Sequence, residues 1–256
     1  MNKLVKFTAA LFCALFILEI LTGTAKGATV RSWFIKRNGV SAPTFPSDAD
    51  ALSELGCYYI DKTASKNGEK KLYLTFDAGY ENGNIERILD VLRDKDVPAA
   101  FFVLKNLAIK TPDLLKRMSE EGHLICNHTA NHKNLTKATS EEIRAELSEL
   151  EEVCSSRAGV SVSKYFRFPE GKYSEESIRC IQTLGYKTVF WSFAYEDWDN
   201  NNQPNREYAI NKIMKNTHDG AIILLHPTSK TNADIISDLI DLWRDMGYKF
   251  YSLDEL

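Results

Sequence analysis

Carboxylates, histidines and an arginine stand in this chain where short apolar runs end. In chain order they are Asp77, His128, His132, Arg167, Asp197 and His226. A carboxylate can act as a base, two imidazoles can hold a metal ion, and a further histidine can act as an acid. With an arginine and a second carboxylate, these are the parts needed to hydrolyse an amide.

Asp77 is the candidate general base, because it directly follows the apolar run at residues 72–76 and could take a proton from water. An aspartate just ahead of Gly79 could instead only form a turn. Arg167 could hold the Asp77 carboxylate through two hydrogen bonds and keep it ionised, or it could form a surface ion pair.

His226 is the candidate acid. It follows the strand-like run Ala221–Leu225 and is placed to protonate a leaving amine. The alternative is a structural histidine at the end of a strand, whose ring nitrogens only form hydrogen bonds within the protein. Asp197 could pair with His226 or with Arg167, and in either place its charge would shift the pKa of its partner.

His128 and His132 are four residues apart, so they share a helix face or one side of a turn. Two imidazoles at that spacing could hold Zn²⁺ or another divalent ion. Two surface histidines in a polar loop are the alternative, because asparagines and a lysine surround them.

Aromatic residues near these positions could form a flat wall against which sugar rings stack. We expect Trp198 and Tyr80 to do so. Trp191 could contribute too, although core packing explains that residue equally well.

The elements that must position these residues alternate from Lys71 onward. Apolar, β-rich runs predict strands at 72–76, 99–104, 123–126, 164–168, 187–193, 221–225 and 249–253. Helical patterns lie between them near 84–95, 112–121, 140–157, 174–185, 207–218 and 232–247. This order predicts a parallel α/β fold, either an incomplete barrel or an open sheet. Since chemistry in such folds collects at the carboxyl ends of the strands, the candidate residues should converge on one rim.

The N-terminus predicts an exported protein. Residues 1–25 combine Lys3 and Lys6 with an apolar run and end in small residues, which is typical of a signal peptide cleaved after Ala25. An uncleaved membrane anchor is the alternative, and no other segment is apolar enough to span a membrane. The net charge of −3 means that the chain as a whole has no positive electrostatic field that would attract nucleic acid.

Residues 26–70 are expected to form an N-terminal extension, with residues 71–256 as the main domain. The aromatic groups at 33–35 and 58–60 should pack the extension onto that domain. The cysteines outside the signal segment match no disulfide or zinc framework, and we expect isolated thiols. They are Cys57, Cys126, Cys154 and Cys180.

Taken in order, these blocks resemble the polysaccharide deacetylases with a NodB-homology domain, carbohydrate esterase family 4. The matching blocks are Thr75-Phe76-Asp77, His128-Thr129-Ala130-Asn131-His132, Arg167-Phe168-Pro169-Glu170-Gly171, Asp197-Trp198 and Leu225-His226. The resemblance implies a distorted, incomplete (β/α)7 barrel. It also implies that the backbone N–H of Glu170 helps to form an oxyanion hole, and that His128 and His132 are metal ligands.

A narrower resemblance, to the delta-lactam-biosynthetic de-N-acetylases of endospore formers, rests on Tyr80-Glu81-Asn82-Gly83, Asn201-Asn202-Gln203 and Trp33-Phe34-Ile35-Lys36-Arg37. It implies removal of the acetyl group from muramic acid in peptidoglycan strands, leading to muramic-δ-lactam in the spore cortex. A deacetylase of N-acetylglucosamine in peptidoglycan or chitooligosaccharides is one alternative. An inactive glycan-binding protein is another.

One position departs from the family pattern. The family has a metal-binding second aspartate where this chain has Ala78, which supplies no ligand. A catalytic zinc normally has three protein ligands, so we expect a divalent metal to be bound only weakly.

Overall fold

A computed structural model describes residues 29–256, and the predicted signal segment lies outside the described residues. The strands are β1 Arg31–Ser32, β2 Lys36–Asn38, β3 Ser41–Thr44, β4 Cys57–Tyr58, β5 Lys71–Ala78, β6 Ala99–Val103, β7 Leu124–Asn127, β8 Ser163–Phe166, β9 Lys172–Tyr173, β10 Lys187–Val189, β11 Ala221–Leu225 and β12 Lys249–Phe250. All seven predicted strands are present, as β5 to β8 and β10 to β12.

The helices lie between the strands of the main sheet, as the alternation predicts. They are α1 Ala49–Glu54, α2 Lys62–Asn67, α3 Ile85–Asp94, α4 Lys105–Lys110, α5 Pro112–Glu120, α6 Ser140–Ala158, α7 Glu175–Thr183, α8 Arg206–Lys215 and α9 Lys230–Asp245. Helix α6 begins with a capping box, in which the Thr139 side chain and Glu142 satisfy each other's backbone N–H groups. The six predicted helices are confirmed, and α1, α2 and α4 are additional ones.

The main sheet is parallel, with strand order β11-β5-β6-β7-β8-β10-β4, and β12 also pairs with β5. Strands β6 and β11 are buried at every position, which explains their unbroken apolar runs. The sheet is curled into an incomplete barrel, so the incomplete barrel predicted from the motif resemblance is confirmed.

Strand β10 is shorter than predicted because the chain changes partners after Val189. The N–H groups of Ser192 and Phe193 donate to the carbonyl of Ile222 in β11, at 3.0 and 3.2 Å. This segment therefore bridges from β10 to the opposite edge strand. The bridge brings the loops after β10 and β11 side by side.

The N-terminal extension packs on the barrel through part of its predicted aromatic set. Trp33, Tyr59 and Ile60 are buried, but Phe34 is 61% exposed, so the expectation that Phe34 packs inward is wrong. Strand β4 pairs with β10 and so belongs to the main sheet. The boundary at residue 70 stays a prediction.

Within residues 29–256 no helix is both long enough and apolar enough to cross a membrane. The four cysteines of the described chain are free thiols, and three of them are buried.

Candidate active site

Asp77 and Arg167 meet at the carboxyl ends of β5 and β8. The Arg167 guanidinium donates to Asp77 Oδ1 at 2.8 Å, and to Thr75 Oγ1 at 2.9 Å. Two backbone carbonyls, of Val189 and Phe190, accept its remaining N–H groups at 3.0 and 3.3 Å. The Arg167 side chain is fully buried, so this arginine is a fixed part of the site and the surface ion pair is excluded.

His128 follows β7 directly and lies beside Asp77. Its Nδ1 is 2.8 Å from the Arg167 carbonyl, which makes Nδ1 the protonated nitrogen and leaves Nε2 as an acceptor. That Nε2 lies 3.6 Å from Asp77 Oδ2. His132 lies in the same loop, with its ring centroid 5.0 Å from that of His128. The two histidines therefore share a turn, and neither lies in a helix.

His226 and Asp197 form the second pair. His226 Nδ1 is 2.7 Å from Asp197 Oδ1, and the His226 backbone N–H donates to Asp197 Oδ2 at 2.8 Å. Asp197 is fully buried, and it pairs with His226 rather than with Arg167. His226 lines the cavity, and its Nε2 has no acceptor among residues 29–256, which leaves that nitrogen for a substrate.

Asn232 supports this pair from the first turn of α9, and sequence reasoning missed it. Its side-chain amide donates to Asp197 Oδ2 at 2.6 Å and to the His226 carbonyl at 3.0 Å. The Tyr195 hydroxyl donates to Asn232 Oδ1 and so fixes the orientation of the amide. Because Asn232 follows Asp197 by many residues and resembles an ordinary first-turn asparagine, no local pattern marks it.

Burial and neighbouring charges set the protonation of these groups. Burial by itself would raise the pKa of Asp77, but the charge and hydrogen bond of Arg167 together with His128 and His226 outweigh burial, and the pKa lies below its ordinary value. Burial lowers the pKa of His128 to about 4, against the raising effect of Asp77. Burial would also lower the pKa of His226, but the Asp197 carboxylate outweighs it and the pKa is raised. At neutral pH the site therefore holds an ionised carboxylate and a histidine that tends to keep its proton.

Glu170 lies in the turn after β8 with φ of +56°, a left-handed conformation that costs a residue with a side chain about 1 kcal/mol or more. Its side chain is exposed and pairs with Lys172. None of the backbone hydrogen bonds found for the described loops uses the Glu170 N–H as donor. Glu170 lines the cavity, so its backbone N–H stays the predicted oxyanion donor.

These residues surround one open cavity of about 700 Å³. Trp198 and Tyr80 both line it and are 59% and 45% exposed. The ring centroid of Trp198 lies 6.2 Å from that of His226. Trp191 and Tyr195 line the cavity as well.

Comparison with known proteins identifies the family. The polysaccharide deacetylase family model matches residues 64–189. Peptidoglycan-N-acetylmuramic acid deacetylase PdaA of Bacillus subtilis (strain 168) is 38% identical over 98% of this chain and 95% of its own length. The chain belongs to the polysaccharide deacetylases. It is a hydrolase, as the ordered motifs predict.

Solved structures agree with this membership. The structure of Bacillus subtilis PdaA, a family 4 carbohydrate esterase, matches this polysaccharide deacetylase with a TM-score of 0.84 at 39% identity, covering 89% of this chain and 96% of that chain. A family 4 carbohydrate esterase from Bacillus anthracis matches with a TM-score of 0.73 at 38% identity and the same coverage. A chitooligosaccharide deacetylase of Rhizobium leguminosarum bv. trifolii is 35% identical over 62% of this chain and 72% of its own length.

The metal donors of this deacetylase are incomplete. His128 Nε2 and the ring of His132 can supply two nitrogens, but Ala78 is buried in the core and supplies nothing. Across the part of the chain that the structure describes, no group of three or more His, Cys, Asp or Glu side chains is arranged to hold a metal ion. The residues present therefore do not fit a zinc ion held by three protein ligands.

Proposed function

We propose that this protein removes the N-acetyl group from muramic acid in peptidoglycan by acid–base hydrolysis of the amide. The observation that carries the chemistry is that Asp77 and His226 line one open cavity, each held from behind by a buried partner, Arg167 and Asp197 respectively. The similarity to an N-acetylmuramic acid deacetylase over 98% of the chain supports the choice of sugar.

In the first half-reaction Asp77 acts as general base. Arg167 holds Oδ1 at 2.8 Å, so Oδ2 is the oxygen left to take a proton from the attacking water. The water oxygen bonds to the acetyl carbon, and the carbonyl oxygen becomes an oxyanion. Glu170 lies on the cavity wall, and we assign its backbone N–H as the donor to that oxygen.

In the second half-reaction His226 acts as general acid. Its Nδ1–H stays on Asp197, and its Nε2–H passes a proton to the sugar nitrogen as the carbon–nitrogen bond breaks. The products are acetate and a free amine. Asp77 then loses the proton that it took from water, the acetic acid ionises to acetate, and His226 Nε2 takes up one of these protons through solvent, which restores the site.

His128 and His132 are proposed to hold a divalent ion only weakly, since they supply two ligands and a catalytic zinc normally has three protein ligands. Metal analysis of chelator-treated and reconstituted protein, with acetate release followed in parallel, tests this. A stoichiometric ion that survives chelation would contradict weak binding, and full activity without any metal would contradict a catalytic ion.

The biological setting follows from the substrate. Peptidoglycan lies outside the cytoplasm, so the predicted signal segment 1–25 and export agree with this function. A freed muramic amine can close on its own lactyl carboxyl, and the motif resemblance places that product, muramic-δ-lactam, in the spore cortex. We propose this setting together with peptidoglycan strands as the partner. Nothing in the described chain identifies a protein partner.

Mass spectrometry of peptidoglycan fragments bearing peptide-free muramic acid tests the proposal. Incubation with the protein should remove acetyl groups from muramic acid, and an Asp77→Asn variant should leave them in place. Acetyl loss from N-acetylglucosamine alone would favour the glucosamine deacetylase instead. Intact fragments that bind without any mass change would favour the inactive glycan-binding protein.

A further inference from the structure

Residues ahead of the matched domain form hydrogen bonds with the back of the active-site cavity. The Trp33 backbone N–H donates to the Gly171 carbonyl at 2.8 Å, and its indole N–H donates to the Trp191 carbonyl at 2.9 Å. The Arg37 guanidinium donates to the Ala194 carbonyl at 2.6 Å. All three acceptors belong to residues that line the cavity. The extension therefore forms hydrogen bonds with three backbone carbonyls of the cavity wall.

Trp33 is itself fixed in place. It is 4% exposed, and its ring stacks on Phe190 with centroids 4.6 Å apart and planes at 14°. The ring of Tyr59 also lies against the Trp33 ring, with the two centroids 5.0 Å apart. The Phe190 carbonyl is in turn one of the acceptors of Arg167. Trp33 thus packs on the segment that anchors the arginine behind the catalytic base.

The turn that Trp33 holds has little room to move. Gly171 has φ of +64°, and a Cβ there would lie 2.8 Å from the Trp191 ring and 3.2 Å from Trp33 Cβ. Glu170 beside it is held in a left-handed conformation that it would not adopt without support. Strand β1 pairs with β9 immediately after this turn, so the extension holds both the end of the turn and the strand that follows it.

We propose that Trp33 is a positioning residue for deacetylation, which holds the Glu170–Gly171 turn and Trp191 so that the Glu170 N–H meets the oxyanion. This inference rests on the proposed function, because the oxyanion role of that N–H is part of it. Trp33 does not line the cavity, so it acts through the turn and not on the sugar. A displacement of the donor by about 1 Å is enough to cost a large part of the rate.

A Trp33→Phe variant of the full chain tests the proposal, because it keeps a stacking ring and removes the indole N–H. We expect kcat for acetate release to fall about tenfold while KM stays nearly unchanged. Hydrogen exchange at the amides of residues 170–173 should become faster. An Arg37→Leu variant removes the hydrogen bond to the Ala194 carbonyl without changing the core. It should also lower kcat.

Phe34→Ala is the matched control, because Phe34 is the neighbouring aromatic residue and is 61% exposed. It should leave kcat and exchange as in the wild type. Wild-type kcat in Trp33→Phe would overturn the proposal, whether or not exchange becomes faster. Failure of the proposed function would appear separately, as a wild-type protein that releases no acetate.

Discussion

At the scale of single residues, the roles of Asp77 and its neighbours can be separated by small substitutions. Asp77→Asn keeps the shape of the side chain and its contact with Arg167 but removes the base. We expect kcat to fall by a factor on the order of 1000, since general base catalysis contributes about that much. Acetate release and glycan binding should be measured together. Binding should persist, and the exposed Asp94→Asn should change neither quantity.

The pH dependence of the reaction should report on His226. Its folded-state pKa is raised, so the acid keeps its proton until the pH rises through that raised value, and activity should fall only above the ordinary pKa of about 6.5. Burial alone would lower this pKa, so Asp197→Asn should move the alkaline limb of the kcat/KM profile to lower pH.

Asp199→Asn is the matched control for this shift, because Asp199 lies in the same loop but is exposed. Its profile should overlie that of the wild type. An unmoved alkaline limb in Asp197→Asn would show that another group supplies the proton.

At the scale of elements, the turn after β8 shows how backbone conformation serves the site. Gly171→Ala would place a Cβ 2.8 Å from the Trp191 ring at a left-handed position. We expect kcat to fall about tenfold or more, because Trp191 or the Glu170 N–H must shift. Gly122→Ala, also left-handed but with nothing within 4 Å of its Cβ, isolates the backbone cost. Equal kcat in both variants would show that the Trp191 contact does not matter for catalysis.

Periodicity predicted the elements that bury a whole face and missed those that do not. Strand β6 is buried at every position, and its unbroken apolar run was sufficient to predict it. Helix α4 has six residues and buries only Leu107 and Ala108, which is too little for a recognisable stripe. The ends of strands were predicted well enough to bring Asp77, His128 and Arg167 to one rim.

Sequence reasoning could not find the groups that reach the site from distant parts of the chain. Asn232 contacts Asp197 from another element, and Thr75 contacts Arg167 across the sheet. Trp33 was expected to pack the extension, but its two hydrogen bonds to cavity loops depend on tertiary structure. The partners in such contacts lie far apart in the sequence, so no pattern within one segment predicts them.

At the scale of the whole molecule, the extension is joined to the barrel at both ends of the sheet. At the end away from the cavity, the Asp61 N–H donates to the Gly220 carbonyl at 2.9 Å, and the Tyr73 hydroxyl donates to Asp61 Oδ2 at 2.8 Å. A Cβ on Gly220 would lie 2.4 Å from the Asp61 carbonyl oxygen. The segment before β5 and the loop before β11 therefore fit only if residue 220 is glycine.

Gly220→Ala should consequently lower the free energy of unfolding of the entire chain. The left-handed φ of +74° alone should cost about 1–2 kcal/mol, and the clash with the Asp61 backbone should add to it. Gly159→Ala shares a left-handed φ but has open space around its Cβ, so it should show the backbone cost alone. Urea unfolding of both variants measures the difference. If Gly220→Ala is no less stable than Gly159→Ala, the close approach of residue 220 to Asp61 does not contribute to joining the extension to the barrel at this end.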